Sequence, residues 1–441
     1  MSSKDTIFAL SSGGLPSGVA VIRLSGSRCV VALSELCGRI PAARRASLQS
    51  IRDRNGEKLD DGLVLHFPAP HSFTGEDCAE LQIHGGRAVV KAVLAALAGI
   101  PGLRQAEAGE FSRRAFLNGR MDLVEVEGLA DLIAAETEMQ RRLAAEQASG
   151  ALSRLYDSWA KRLTHARAMI EAELDFADED DVPGSVAATI WADMQRLTQE
   201  IFNHLAEARI GEIVRDGLKV VIAGPPNAGK SSLLNHLAKR DVAIVTDVPG
   251  TTRDILHVDL DLSGFAVRLY DTAGLRETSD IVEQEGIRRT HLSMVDADLV
   301  LLLSDEEHPD WSRLAGSYDG PVIRTRTKAD KAESAWTQEE IDVTISVRSG
   351  EGIAALLDRI GQYLPDLETG SALSLPTRER HSLHLAAARE QVIQALSADT
   401  AGLDIQAEHL RLAGQALGRV TGRVDVENLL DVIFSEFCIG K

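Results

Sequence analysis

Gly224-Pro225-Pro226-Asn227-Ala228-Gly229-Lys230-Ser231 decides the fold. It follows the apolar run Val220 to Ala223 and precedes Leu233-Leu234-Asn235-His236-Leu237, so strand, glycine-rich turn and helix come in the order of a phosphate-binding loop. Glycines let backbone N–H groups turn toward phosphates, and the following helix offers them its positive end. Lys230 can reach the β- and γ-phosphates, and the Ser231 hydroxyl can ligate magnesium. Around it, β-type runs at Val220 to Ala223, Ala266 to Tyr270, Leu299 to Leu303, Val322 to Thr325 and Val343 to Ser346 alternate with helical segments between Lys219 and Tyr363. That alternation predicts an α/β unit with a mostly parallel sheet.

The segments that follow select the nucleotide. Gly250-Thr251-Thr252-Arg253-Asp254 supplies a threonine for magnesium and the γ-phosphate in a switch segment. Asp271-Thr272-Ala273-Gly274 follows an apolar strand, where a magnesium-facing aspartate and a γ-phosphate-sensing glycine belong. Thr327-Lys328-Ala329-Asp330 ends another strand, and Ser346-Val347-Arg348 closes the base pocket. The Asp330 carboxylate can accept from the N1 and N2 hydrogens of guanine, whereas adenine presents the opposite pattern at those atoms.

Working outward, 441 residues is too long for one domain of about 150 residues. Residues 1–118 mix short β-type runs (Val19 to Leu24, Leu63 to Phe67) with glycine punctuation and one apolar helical stretch, Val89 to Leu97, and read as a small α+β domain. From Asp122 the period becomes helical: Leu123, Val126, Leu129 and Ile133, then Leu152, Leu155, Trp159 and Leu163, then Ile190, Met194, Leu197, Ile201 and Leu205. The acidic run Asp178 to Gly184 reads as a helix–helix connection. Helical spacing returns after Pro376 and ends in Val426 to Phe437. Each helical stretch alone leaves an apolar face uncovered, so the economical architecture inserts the α/β unit into a helical domain. The expected limits are 1–118, 119–215 for the first helical part, 216–369 for the α/β domain and 370–441 for the second helical part.

Composition narrows the classes further. Hydrophobic residues at 44% and a mean hydropathy of -0.06 are globular values, and no apolar run approaches the roughly 18 residues of a bilayer span. Met1 to Asp5 does not lead a secretory signal, so a cytoplasmic address is expected. A net charge of -19 disfavours broad, sequence-independent nucleic-acid binding, leaving local RNA contacts or a shared basic partner. Cys29, Cys37, Cys78 and Cys438 show neither disulfide nor zinc-ligand spacing.

Further segments extend the pattern: Asp5-Thr6-Ile7 with Val21-Ile22-Arg23-Leu24-Ser25-Gly26, His71-Ser72-Phe73-Thr74-Gly75-Glu76-Asp77, His84-Gly85-Gly86, Gly109-Glu110-Phe111-Ser112-Arg113-Arg114-Ala115-Phe116-Leu117-Asn118-Gly119, and Cys438-Ile439-Gly440-Lys441. With these the sequence resembles the translation-factor-related GTPases and, over nearly its whole length, the MnmE (TrmE) family of tRNA-modifying GTPases. The resemblance implies a multi-domain α+β and α/β chain: an N-terminal folate-binding and dimerisation domain, a helical domain and an inserted P-loop, Ras-like G domain. It implies a homodimer, potassium-stimulated GTP hydrolysis coupled to G-domain dimerisation, and a flavin-dependent partner, MnmG, through which alone FAD would enter. Together these would modify C5 of the wobble uridine, position 34 of certain tRNAs, adding a carboxymethylaminomethyl or aminomethyl group with a 5-formyl- or 5,10-methylene-tetrahydrofolate one-carbon donor.

Residue by residue, the resemblance places GTP contacts at Asn227, Ala228, Gly229, Lys230, Ser231 and Ser232, then at Thr246, Asp247, Val248, Pro249, Gly250, Thr251 and Thr252. Asp271, Thr272, Ala273, Gly274, Thr327, Lys328 and Asp330 complete the GTP set. Magnesium falls to Ser231 and Thr252, and potassium to Asn227, Thr246, the backbone of Val248 and Thr251. The lesser alternative for Asn227 is that it holds the loop shape. No glutamine follows Gly274 to orient water; Glu283 matches the family's water-positioning glutamate, with Glu277 and Glu285 nearby. The folate ligands would be Arg23, Glu80, Arg120 and Lys441. Two positions depart from the family: Thr327 replaces an asparagine, and Arg120 a lysine. Cys438, after Val432-Ile433-Phe434, is a thiol candidate or a small core residue. The alternative is a ribosome-assembly-type GTPase that binds RNA without base chemistry, which would be expected to carry a basic RNA-binding module.

Overall fold

The computed structural model describes residues 5–175, 185–240, 242–244, 257–271, 296–316, 318–331, 341–367, 373–398, 402–424, 430, 433–434, 437 and 439–440. The expected connection Asp178 to Gly184 and most of Val426 to Phe437 lie outside them. The chain divides into two compact units, Met1–Ala130 with Gln147–Thr198 and Ala387–Lys441 in one, Asp131–Glu146 with Gln199–Ala386 in the other.

In the first unit β1 (Thr6–Leu10), β2 (Ser17–Ser25), β3 (Ser47–Arg52), β4 (Lys58–Phe67), β5 (Cys78–Gly85) and β6 (Leu103–Gln105) form a sheet ordered β3-β4-β5-β2-β1-β6. Helices α1 (Cys29–Cys37), α2 (Arg87–Ala98) and α3 (Glu110–Leu117) accompany it. The sequence reading found α2 alone. In α1, Cys29, Ala32, Leu33 and Leu36 are buried at helical spacing, but nine residues give a short signal beside two β-branched valines. Strand alternation sorts the sheet's faces. Phe8, Ile22, Leu24, Ala79 and Leu81 join the core that includes residues of α1 and α2, while Ile7 and Ala9 face the other way, with Phe111 and Phe73.

Helices α4 (Leu123–Ala134), α5 (Glu138–Ala148), α6 (Ala151–Asp175), α7 (Ser185–Ala206) and α8 (Ala208–Asp216) follow. Tyr156, Trp159, Leu163, Ala166 and Ile170 recur every three or four residues, the stripe a packed helix requires. In the first unit, Arg162 joins α6 to Asp193 of α7 at 3.0 Å.

The second unit contains β7 (Leu218–Ala223), α9 (Lys230–Leu237), β8 (His257–Leu262), β9 (Phe265–Asp271), β10 (Leu299–Ser304), α10 (Trp311–Ala315), β11 (Val322–Arg326), β12 (Val343–Thr344) and α11 (Ile353–Gly361). Strand order is β12-β11-β10-β7-β9-β8. Every described pairing is parallel except β8 with β9, and β8 is a strand the sequence reading missed. β10 is buried throughout: Leu299, Leu301 and Leu303 face one core, Val300 and Leu302 the other, as in a parallel strand covered on both sides. The chain returns through α12 (Glu379–Ser397) and α13 (Leu403–Thr421), and α13 packs along α6.

His204 near the end of α7 is buried, and burial first, then the charge of His381, pushes its pKa down to about 4. The unfolded chain binds a proton near the ordinary histidine value that the folded chain refuses. Stability is therefore complete above about pH 6.5 and declines as pH falls toward 4, by on the order of 2 kcal/mol between pH 7 and pH 5. His204→Gln should flatten this slope in chemical denaturation series at the two pH values; an unchanged slope would assign the acid sensitivity elsewhere.

Candidate functional site

Connections leave the same edge of the second sheet at the carboxyl ends of the parallel strands β7, β9, β10, β11 and β12, where open α/β sheets bind ligands. After β7 the chain turns at Gly224, where a β-carbon would collide with the Leu303 carbonyl, so glycine is required. Asn227 takes a left-handed backbone, φ 67°, which asparagine tolerates better than most residues. Lys230 is buried, and its Nζ donates to the carbonyls of Gly224 at 2.8 Å and Pro225 at 2.9 Å, holding the ammonium at the centre of the loop. The Ser231 hydroxyl donates to Asp271 Oδ2 at 2.7 Å. Side by side, the Ser231 hydroxyl and the Asp271 carboxylate at the end of β9 are hard oxygen donors of the kind magnesium takes.

The guanine side is built from β11 and β12. The Thr327 hydroxyl donates to the Ala228 carbonyl at 2.8 Å and is buried, so the guanine loop is tied to the phosphate loop. Ser346 Oγ donates to Asp330 Oδ1 at 2.8 Å. That bond is the foremost reason the Asp330 carboxyl sits below its usual range, which keeps an acceptor facing any N–H edge. Lys328 pairs with Asp305.

A second cluster lies on the first unit's sheet. Arg23 and Glu80 are register partners on β2 and β5 and form an ion pair at 3.1 Å, each side chain about one-fifth exposed (23% and 21%). The Arg23 guanidinium stacks 4.9 Å from the Phe73 ring centroid and 5.9 Å from that of Phe111, close enough for cation–π attraction. Arg120 runs its side-chain stem beside Gly75, in the loop that carries Phe73. The chain's end comes to the same sheet: Ile439 bridges Ala108, and Ser11 Oγ donates to the Gly440 carbonyl.

A family model described as the MnmE helical domain matches residues 123–438, and one described as the GTP-binding protein TrmE N-terminus matches residues 6–120. The tRNA modification GTPase MnmE of Rhizobium meliloti (strain 1021) is 63% identical over 443 residues, covering 100% of both chains. That of Sinorhizobium medicae (strain WSM419) is 63% identical over 440 residues, 99% of each. The chain belongs to the MnmE family of tRNA modification GTPases. It is a GTP hydrolase acting in tRNA modification. The G domain of the T. maritima FeoB iron transporter is similar to 34% of this chain over 99% of its own, at 30% identity with a TM-score of 0.26; strand order and the phosphate loop identify the G domain without it.

Of the site residues expected of an MnmE chain, Asn227 to Ser232, Asp271, Thr327, Lys328 and Asp330 are grouped at the sheet edge described above. Thr246 to Thr252, Thr272 to Gly274, Glu283 with its neighbours Glu277 and Glu285, Cys438 and Lys441 lie outside the described residues. Cys29, Cys37 and Cys78 are free. Burial raises the Cys29 thiol, and the Cys37 thiol to about 11, so neither is a ready thiolate. The roles of Phe73 and Phe111 escaped a reading by motif, because nothing in their spacing announces contacts with Arg23; Ser346, expected to close the base pocket, does so by bonding Asp330.

Thr327→Val removes the donor and leaves a carbonyl without that bond at a buried site, a loss of about 1–3 kcal/mol. Nucleotide affinity should fall by about tenfold, since about 1.4 kcal/mol is that factor, while Thr327→Ser stays near wild type. Fluorescent GDP titration decides; wild-type affinity in the valine variant would show the tether to be irrelevant.

Proposed function

We propose that this chain is a potassium-stimulated GTPase that, with a flavin-dependent MnmG partner carrying FAD, modifies C5 of wobble uridine 34 in certain tRNAs. The added group is carboxymethylaminomethyl or aminomethyl, and a tetrahydrofolate derivative, 5-formyl or 5,10-methylene, supplies the one-carbon unit. The observation that supports this reading is a pair of differently equipped clusters: Lys230, Ser231, Asp271 and the tethered guanine loop in one unit, and Arg23–Glu80 under aromatic rings in the other. The proposal extends to a cytoplasmic homodimer and to the domain limits 1–118, 119–215, 216–369 and 370–441.

At the G domain, Lys230 meets the β- and γ-phosphates, Ser231 and Thr252 hold magnesium, and Asp330 reads guanine. Asn227, Thr246, the Val248 backbone and Thr251 hold potassium, which when bound neutralises charge between the β- and γ-phosphates. Glu283 orients the attacking water. In the other unit, Glu80 accepts from the amino and ring N–H groups of a pteridine, Arg23 pairs with that carboxylate and offers a flat cation, and Arg120 and Lys441 meet polar ends of the ligand.

Turnover should be several-fold higher in potassium than in matched sodium buffer, because sodium is too small for the same cage; equal rates would remove potassium from the mechanism. Glu283→Ala should lower kcat while GTP affinity stays nearly constant, since water orientation acts in the transition state. Arg23→Ala and Glu80→Ala should abolish wobble-uridine modification, read by mass spectrometry of tRNA, and spare GTP turnover. Calorimetric affinity for 5-formyltetrahydrofolate should drop at least about tenfold in both, and unchanged binding would show that these residues do not hold the ligand.

A further inference from the structure

Arg114 on α3 is nearly sealed from solvent, its side chain 6% exposed, and its guanidinium gathers three separate stretches of chain. Nη1 donates to Glu76 Oε2 at 2.9 Å, to the Asp5 carbonyl at 3.1 Å and to the Ser25 carbonyl at 3.4 Å; Nη2 donates to Glu110 Oε1 at 3.4 Å. Glu76 in turn accepts from Ser25 Oγ at 2.8 Å, and Ser25 Oγ shares a hydrogen bond with Thr74 Oγ1 at 2.6 Å. The Glu76 amide donates to Thr74 Oγ1 at 3.2 Å, and Asn118 Nδ2 donates to the Thr74 carbonyl at 2.7 Å. The bonds to Glu76 and Thr74 fix loop 71–77, whose Phe73 ring lies against the Arg23 guanidinium, while those to Asp5, Ser25 and Glu110 anchor Arg114 itself.

A buried ion pair is a poor device for stability, because desolvation offsets most of its attraction, and an apolar pair of equal volume does as well. What a forked, five-donor guanidinium adds is geometry. We propose that Arg114, through Glu76, is a positioning residue for the one-carbon donor site: it sets the height and angle of loop 71–77, hence of Phe73, hence of the Arg23–Glu80 pair. This rests on the reading of that pair as the folate site. Arg104 does not take this place, because the carboxylates it pairs with are Asp5 and Glu110.

Three variants test the inference: Arg114→Met, Arg114→Lys, and Arg114→Met combined with Glu76→Gln, which removes both charges and leaves no uncompensated carboxylate. Affinity for 5-formyltetrahydrofolate, melting temperature, and the dependence of tRNA modification on donor concentration are measured, with GTP turnover checking that each preparation is folded. Both single variants should bind at least tenfold more weakly. The double variant should regain the melting temperature lost in Arg114→Met but not the affinity. The donor concentration for half-maximal modification should rise by the same factor as the dissociation constant, with the saturated rate within twofold of wild type. Recovery of affinity together with melting temperature, or wild-type binding by Arg114→Lys, would reduce Arg114 to a structural part and overturn the inference. If the wild type binds, Arg23→Ala does not, and the Arg114 variants bind normally, positioning alone fails. If the wild type does not bind the donor, the site reading fails and this inference with it.

Discussion

The carbonyl of Leu303 stands where a β-carbon on residue 224 would have to go, and the nucleotide site is arranged around that close approach. β7 and β10 run parallel side by side, both faces of β10 covered by apolar residues, so neither strand can yield to relieve a clash. The chain can leave β7 toward α9 only through a residue without a side chain. Once it does, the N–H groups and Lys230 are committed to the inside of the turn, and Ser231 falls within reach of Asp271 at the end of β9. The sheet's rigidity is thereby converted into placement of phosphate- and metal-binding groups, the preorganisation that electrostatic catalysis depends on.

Elements whose signal is local were legible. The phosphate loop, β9 with Asp271, and β11 with Thr327 to Asp330 each pair an apolar run with a turn of defined chemistry, and the structure joins them at one edge. β10 reads as a strand because Leu299 to Leu303 are all apolar and the run is too short for a buried helix. α1 and β3 were not legible: α1 spans nine residues with an early β-branched pair, and β3 (Ser47–Arg52) buries only Gln49 and Ile51, too little alternation to stand out. β8 does bury Leu260 and Leu262 alternately, but His257, Asp259 and Asp261 make up half of its six residues and lower its strand propensity.

The N-terminal cluster divides along the same line. Arg23 between Ile22 and Leu24, and Glu80 between Ala79 and Leu81, are polar residues on the opposite face from their apolar neighbours, and a period of two is enough to say so. That the two are register partners depends on β2 pairing with β5 across more than fifty residues, which no local pattern encodes. The Arg114–Glu76 network is less visible still. It joins a helix to a loop, and ion pairs between such elements follow no periodicity; in sequence Arg114 is one of two adjacent arginines in α3, and burial alone distinguishes it from Arg113.

Thr327 shows how a departure from a family pattern can be divided into what it keeps and what it gives up. An asparagine offers a carboxamide long enough to donate to a neighbouring carbonyl and still extend toward a base, whereas a threonine hydroxyl has one hydrogen and a shorter reach. In this chain that hydrogen goes to the Ala228 carbonyl. The tether between the loops that follow β11 and β7 is kept, and only the hydroxyl's acceptor capacity is left for anything else. Three residues on, the Asp330 carboxylate is oriented by the Ser346 hydroxyl and drawn further toward its ionised form by that bond. Since selectivity is a difference of affinities, loosening a tether that only holds the loop in place weakens every nucleotide alike, and under the proposed reading the preference for guanine rests with the Asp330 carboxylate.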